Sequence, residues 1–299
     1  MSSLDMLDIL GGIDAAYIDE SKDTVQNRKT VRIRRWLPAL AACAALILMI
    51  PVVGNIFRGK GGTDGPSDSL EDVRSLEYNG AYYEATDIPE VLTRYGIPKK
   101  LGPDLAGEHV SYLIPNGTAG YLESADKTDI ELLTYAASPC RGVYIVRDYD
   151  HYYAAIFCNF ILISDEASVE LSELYKAYGV SGAEDIISVT ETDWHRGEAK
   201  GRNVTDRTAL KDFYSMTCSL MPESTGEFQA EVFDGIPEDE QQKKHTAFAD
   251  DCRMIRIETS SGLRFYIEVY PTFGWMYGPG TLSYFMTTPE FLDWFKTRF

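Results

Sequence analysis

The chain has 299 residues, 44% of them hydrophobic, and a net charge of −18 at pH 7. Residues 1–35 hold equal numbers of basic and acidic side chains and 36–57 hold neither, so the whole excess of negative charge falls on 58–299. A domain this acidic repels phosphate backbones, which excludes nucleic acid as its partner.

Residues 4–20, "LDMLDILGGIDAAYIDE", set Leu4, Leu7, Leu10, Ile13, Tyr17 and Ile18 at steps of three and four, one apolar stripe on a helix. Gly11–Gly12 interrupts the stripe, and Asp14 is placed to start a second short helix. Helices this short are marginal alone in water, so the stripe needs a surface: the inner face of the membrane, or a cytoplasmic partner. A basic run follows (Arg28, Lys29, Arg32, Arg34, Arg35), then 22 residues, 36–57, without a charged side chain. A helix of that length reaches roughly 33 Å, against about 30 Å of bilayer hydrocarbon, so the stretch predicts one transmembrane helix. Its basic N-terminal flank puts the N-terminus in the cytoplasm and the rest outside the cell membrane. A cleaved signal peptide is the competing reading. The 35-residue lead with six acidic side chains, and the lack of an A-x-A pattern after the run, favour an uncleaved anchor. Residues 58–72, "RGKGGTDGPSDSLED", read as a flexible linker.

From 73 to 299 the pattern predicts an extracytoplasmic α+β domain with antiparallel hairpins, one unit or two with a break near 165–200. Asn79–Gly80 marks a hairpin over 78–86, and "PEVLTRYGIP" a helix opened by Pro89 and stopped at Gly96. Strands are expected near 111–114, 131–136, 143–147 and 152–163, the last two turning at Asp148–Asp150. "SDEASVELSELYKAYG" (164–179) predicts a helix, 186–190 a strand, and "TDRTALKDFYSMTCSLM" (205–221) a helix. Alternation over 253–270 about Ser260–Gly262 predicts a second hairpin, and Thr288 caps a terminal helix with Pro289 in its first turn. "EVLTRYGIP" (90–98) and "ELYKAYGVS" (173–181) share Glu, Tyr and Gly at an offset of 83, a hint of internal repetition.

No nucleophile elbow, phosphate loop, zinc helix or dinucleotide fingerprint is present, so the reading assigns no catalytic, cofactor or metal residue and no enzyme activity. His151 beside Asp148 and Asp150, and His195 after Asp193, are explained by turns and loops as well as by chemistry. Cys140 and Cys158 flank a predicted hairpin and either form a disulfide or stay as unpaired thiols. Tyrosines crowd "YYEAT" and "YDHYYAAIF". Tyr82, Tyr83, Tyr149, Tyr152 and Tyr153 are either sheet residues or a face for an envelope glycan or peptide.

"LDILGGIDAAYIDES", the basic run and "RRWLPALAACAALILMI" together resemble the transmembrane anti-sigma-factor-like proteins of low-GC Gram-positive bacteria, over roughly residues 4–50. The resemblance implies a cytoplasmic segment that holds a sigma factor through Leu7, Leu10, Ile13, Tyr17 and Ile18, and an exterior domain that senses a signal. The histidine and cysteine cluster of the zinc-containing branch is missing: no histidine precedes His109, and the one early cysteine is Cys43. The expectation is therefore a single-pass regulatory protein. The alternative is a membrane-anchored envelope-binding module with no cytoplasmic partner.

Overall fold

Asn79 and Gly80 both take left-handed backbone angles, φ 49° and 72°, and fold the chain back between β1 (Ser75–Tyr78) and β2 (Ala81–Thr86). The computed structural model describes residues 75–115, 121–164, 167–193 and 199–299, all inside the compact unit Ser67–Phe299. After β2 come helix α1 (Pro89–Arg94), the 3-10 turn η1 (Pro103–Leu105), β3 (Ala106–Pro115), β4 (Tyr121–Ala125), β5 (Ile130–Tyr135), β6 (Val143–Asp148) and β7 (His151–Phe160). These seven strands close a barrel in the order β1-β2-β7-β6-β5-β3-β4. A closed ring of seven strands cannot alternate in direction throughout, so one seam is parallel, here Ser75 opposite Tyr121 and Leu76 opposite Leu122. Along β5 and β6, Leu132 and Val146 alternate with Leu133 and Ile145, and all four are buried. Both faces of the barrel wall are therefore covered.

The second half repeats the order. Helix α2 (Leu171–Ala177), the 3-10 turn η2 (Ala183–Asp185), β8 (Ile186–Thr192) and β9 (Ala199–Val204) lead into α3 (Arg207–Cys218) and β10 (Pro222–Glu223). Then follow α4 (Thr225–Phe233), α5 (Glu238–Asp250), β11 (Arg253–Thr259), β12 (Arg264–Tyr270), β13 (Trp275–Gly278), β14 (Ser283–Met286) and α6 (Pro289–Arg298). The sheet runs β10-β14-β13-β12-β11-β8-β9 and stays open. Its hairpin β8–β9 and meander β11–β12–β13 hold the places of β3–β4 and β5–β6–β7 in the barrel.

The hinted repeat is carried by the backbone. Tyr95 and Tyr178 end α1 and α2 with φ −90° and −92°, and Gly96 and Gly179 follow at φ 76° and 74°. The next amides, Ile97 and Val180, each bond back to a helix carbonyl at 2.9 Å, Leu92 and Tyr175 respectively. Each motif is fastened across the halves. The α1 motif precedes a barrel strand, yet Tyr95 accepts from the Arg264 amide at 3.0 Å, and the Tyr266 hydroxyl donates to the Arg94 carbonyl at 2.9 Å. The α2 motif precedes a strand of the open sheet, yet the Tyr178 ring lies on Gly142 beside β6, with no room there for a side chain. One hydrophobic core runs through both sheets.

Several expectations are corrected. The mixed α+β layout gives way to two seven-stranded sheets, the first a closed barrel. Barrel closure depends on two rungs between strands far apart in sequence, which no local pattern reports. Among the described residues no helix is long and apolar enough to cross a membrane; the longest, α5, has 13 residues where a span needs about 20. The single-pass, transmembrane-helix description thus finds no support in the folded unit, and residues 1–74, with the expected span and linker, lie outside the described residues. Cys140 and Cys158 are free thiols. Val143 pairs with Ile156 in the β6–β7 hairpin, and the same register continued sets Cys158 opposite Arg141 and Cys140 opposite Asn159, one residue out of step for a bridge.

A methyl group on Gly96 would stand 1.9 Å from the Gly262 carbonyl oxygen, whereas one on Gly80 meets nothing within 4 Å. Both positions are left-handed. Gly80→Ala is expected to cost about 1–2 kcal/mol in urea unfolding, the backbone penalty alone. Gly96→Ala is expected to cost about 4 kcal/mol or more, because the clasp itself must shift.

Candidate functional site

Alternation along β12 sends Phe265, Ile267 and Val269 into the common core and Tyr266, Glu268 and Tyr270 to the opposite face of the open sheet. Cross-strand register then lines up Met254, Glu268, Tyr277 and Tyr284, with Tyr270, Trp275 and Met286 in the next row. The helices α4 and α5 contribute the residues that cover this face. A capping box holds the start of α4, where the Ser224 hydroxyl accepts from the Glu227 amide and the Glu227 carboxylate accepts from the Ser224 amide. Phe228 then stacks on Tyr284 with centroids 3.7 Å apart, and Phe248 of α5 stacks on Tyr270 at 3.9 Å. Phe228, Val232, Phe233, Phe248, Tyr270, Trp275 and Tyr284 form a hydrophobic cluster of their own, separate from the common core.

At the edge of that cluster sits a carboxyl group. Glu268 is 9% exposed. The Tyr270 hydroxyl and the Cys252 thiol, the latter at 3.8 Å, both donate to its Oε2. Burial raises its pKa from the ordinary 4.5 to about 7, against the smaller opposing pull of those two donors. Burial likewise pushes the Cys252 thiol up to about 12, with the Glu268 charge adding to the rise. Tyr277 is raised for the same two reasons. A thiol held protonated is no nucleophile at neutral pH. What the arrangement can do is hold or release one proton near neutrality in a dry aromatic setting.

The residues singled out from sequence fall elsewhere. Tyr83 is buried, ringed by Tyr144 and Phe157. Tyr152 and Tyr153 are half-buried on β7. Tyr82, opposite Asn159, and Tyr149, in the turn before β7, stand at opposite ends of a ten-residue strand, roughly 25 Å apart. The five do not make one face. His151 pairs across the hairpin with Asp148, and His195 lies outside the described residues, as do Leu7, Leu10, Ile13, Tyr17 and Ile18. Among the described residues no group of three His, Cys, Asp or Glu side chains could hold a metal ion. A shallow open depression lined by Ile236, Glu240, Lys243 and Lys244 lies where α4 meets α5 and mixes both charges. Sequence reasoning missed Glu268 because a lone glutamate on an outward strand face reads as a solvated charge. Tyrosines two positions away on either side were the available signal.

The sign of the pH effect follows from the raised carboxyl. Its protonated form is the one the fold accommodates, so the stabilisation is complete below about pH 4.5 and is lost as the pH rises through 7. Between pH 5 and pH 8 the unfolding free energy is expected to fall by about 3 kcal/mol, measured by urea titration, and Glu268→Gln to remove most of that slope. Phe228→Ala is expected to cost about 3–5 kcal/mol in the same measurement. No protein-family model matches the chain, and neither a curated protein nor a solved structure matches it.

Proposed function

We propose that the chain is a regulatory protein in which the folded unit senses and the N-terminal segment docks a partner, the anti-sigma-factor-like arrangement. The observation that carries this reading is an added part. In the barrel half, β4 passes to β5 through residues 126–129, whereas β9 passes to β11 through residues 205–252, which hold α3, β10, α4 and α5. Two of those helices enclose an aromatic cluster apart from the main core, with a titratable carboxyl group beside it. A segment with its own small core can open at lower cost than the whole fold, which suits a sensing element better than a scaffold. The envelope-binding alternative rested on a shared tyrosine face, and the separation of Tyr82 from Tyr149 weakens it.

Full-length protein tagged at the C-terminus and purified from its own cells is expected to retain a sigma factor, detected by mass spectrometry. Leu10→Asp and Ile13→Asp together are expected to lower that recovery at least tenfold, with the folded unit still intact by circular dichroism. Recovery of no sigma factor, or equal recovery by the double variant, removes the docking role.

A further inference from the structure

We infer that the α4–α5 pair is a proton-controlled cap, closed on the open sheet while Glu268 is neutral and released from it when Glu268 ionises. The inference rests on the sensing role proposed above and gives it a signal. Geometry carries it first. Asp251, at the end of α5, accepts from the Thr272 and Phe273 amides at 2.7 and 3.3 Å and from the Thr272 hydroxyl at 2.6 Å. That end is pinned to the β12–β13 loop, and the aromatic cluster holds the rest of the pair down. Glu268 lies beside both, one row along the sheet face from the Phe248–Tyr270 stack.

The groups bonded to Glu268 are neutral donors, and the cation on its face of β11, Arg256, stands one row away, opposite Tyr266. On its own strand stands Tyr270, at the foot of α5 Cys252, and across on β13 Tyr277. All three are neutral when protonated. From α4 and α5 the cluster receives Phe228, Phe233 and Phe248. Two of the three basic residues of α5 stand against Phe233 instead, Lys244 5.8 Å from the ring and His245 stacked on it at 4.0 Å, while Lys243 lines the depression beside Glu240. Glu227 is engaged with Ser224, Asp251 with Thr272, and Arg253 at the start of β11 with Glu191 at 3.1 Å. A carboxylate formed here regains solvation only if water enters, and water enters where the two helices lift. His245 works in the other direction. Burial lowers its pKa, so its protonation would loosen the cap on acidification, and the direction of the response separates the two groups.

Hydrogen exchange of the full-length protein, read by mass spectrometry at pH 5.5, 6.5, 7.5 and 8.5 and corrected for intrinsic exchange, tests the cap. Peptides covering 225–250 are expected to exchange at least tenfold faster at pH 8.5 than at pH 5.5, while those covering 143–157 in the barrel stay unchanged. Glu268→Gln is expected to keep 225–250 protected throughout. Tyr270→Phe, which removes a donor to the charged form, is expected to move the midpoint of opening to higher pH. A flat wild-type profile over 225–250, a rise equal to that of the barrel peptides, or the same rise in Glu268→Gln overturns the proposal. No partner takes part in this measurement, so its failure leaves the docking reading standing, and loss of the docking reading leaves the cap standing.

Discussion

The contact on which the rest of the molecule depends is the approach of Gly96 to the β11–β12 turn. A left-handed glycine ends α1, leaves no side chain in the way, and lets Tyr95 take the Arg264 amide. After α2 the join is made by a ring instead of a backbone bond: Tyr178, before the left-handed Gly179, lies on Gly142 of the barrel half. Neither helix exceeds seven residues, too short to be stable alone, and each is held by what it grips. Packing between the sheets is thus a mutual clasp, and one continuous core results.

On that frame the two sheets diverge. The barrel closes on itself and leaves no free edge, while the open sheet ends at β9 and at the two-residue β10. The exposed β9 carries Lys200 and Arg202 in an otherwise acidic domain, which guards a bare edge against pairing with another chain. The face turned from the common core is taken by α4 and α5, and their aromatic contacts stand beside a buried carboxyl group whose two donors, Tyr270 and Cys252, are uncharged. Burying a charge without a partner is costly, so the group keeps its proton into the neutral range.

Local signals in the sequence were sound where residue chemistry alone decides. Asn79–Gly80, the Thr288 cap with Pro289, the 253–270 hairpin and the stop at Gly179 all fall where expected. The helix expected from Ser164 begins only at Leu171, since Glu170 is still extended, with φ −60° and ψ 144°. The β4, β9 and β13–β14 strands went unread; β9 is almost wholly exposed and shows no apolar alternation. The helix α4 was missed although Ser224 and Glu227 spell a capping box before Phe228. Barrel closure and the Glu268 environment were beyond reach, since both are made by residues that meet only after the sheets assemble. The five tyrosines show the same limit: clustering in sequence did not become clustering in space.

The clasp also bears on how the protein is made. Arg264 and Tyr266 lie 171 and 172 residues after the α1 carbonyls they bond, so a nascent barrel emerges from the ribosome long before its fastener exists. Through most of synthesis the first half must wait with α1 unanchored, an interval in which sticky, incompletely packed surface is open to wrong associations. A gene fragment ending between the halves would leave that wait permanent, with α1 deprived of Arg264 and Tyr266.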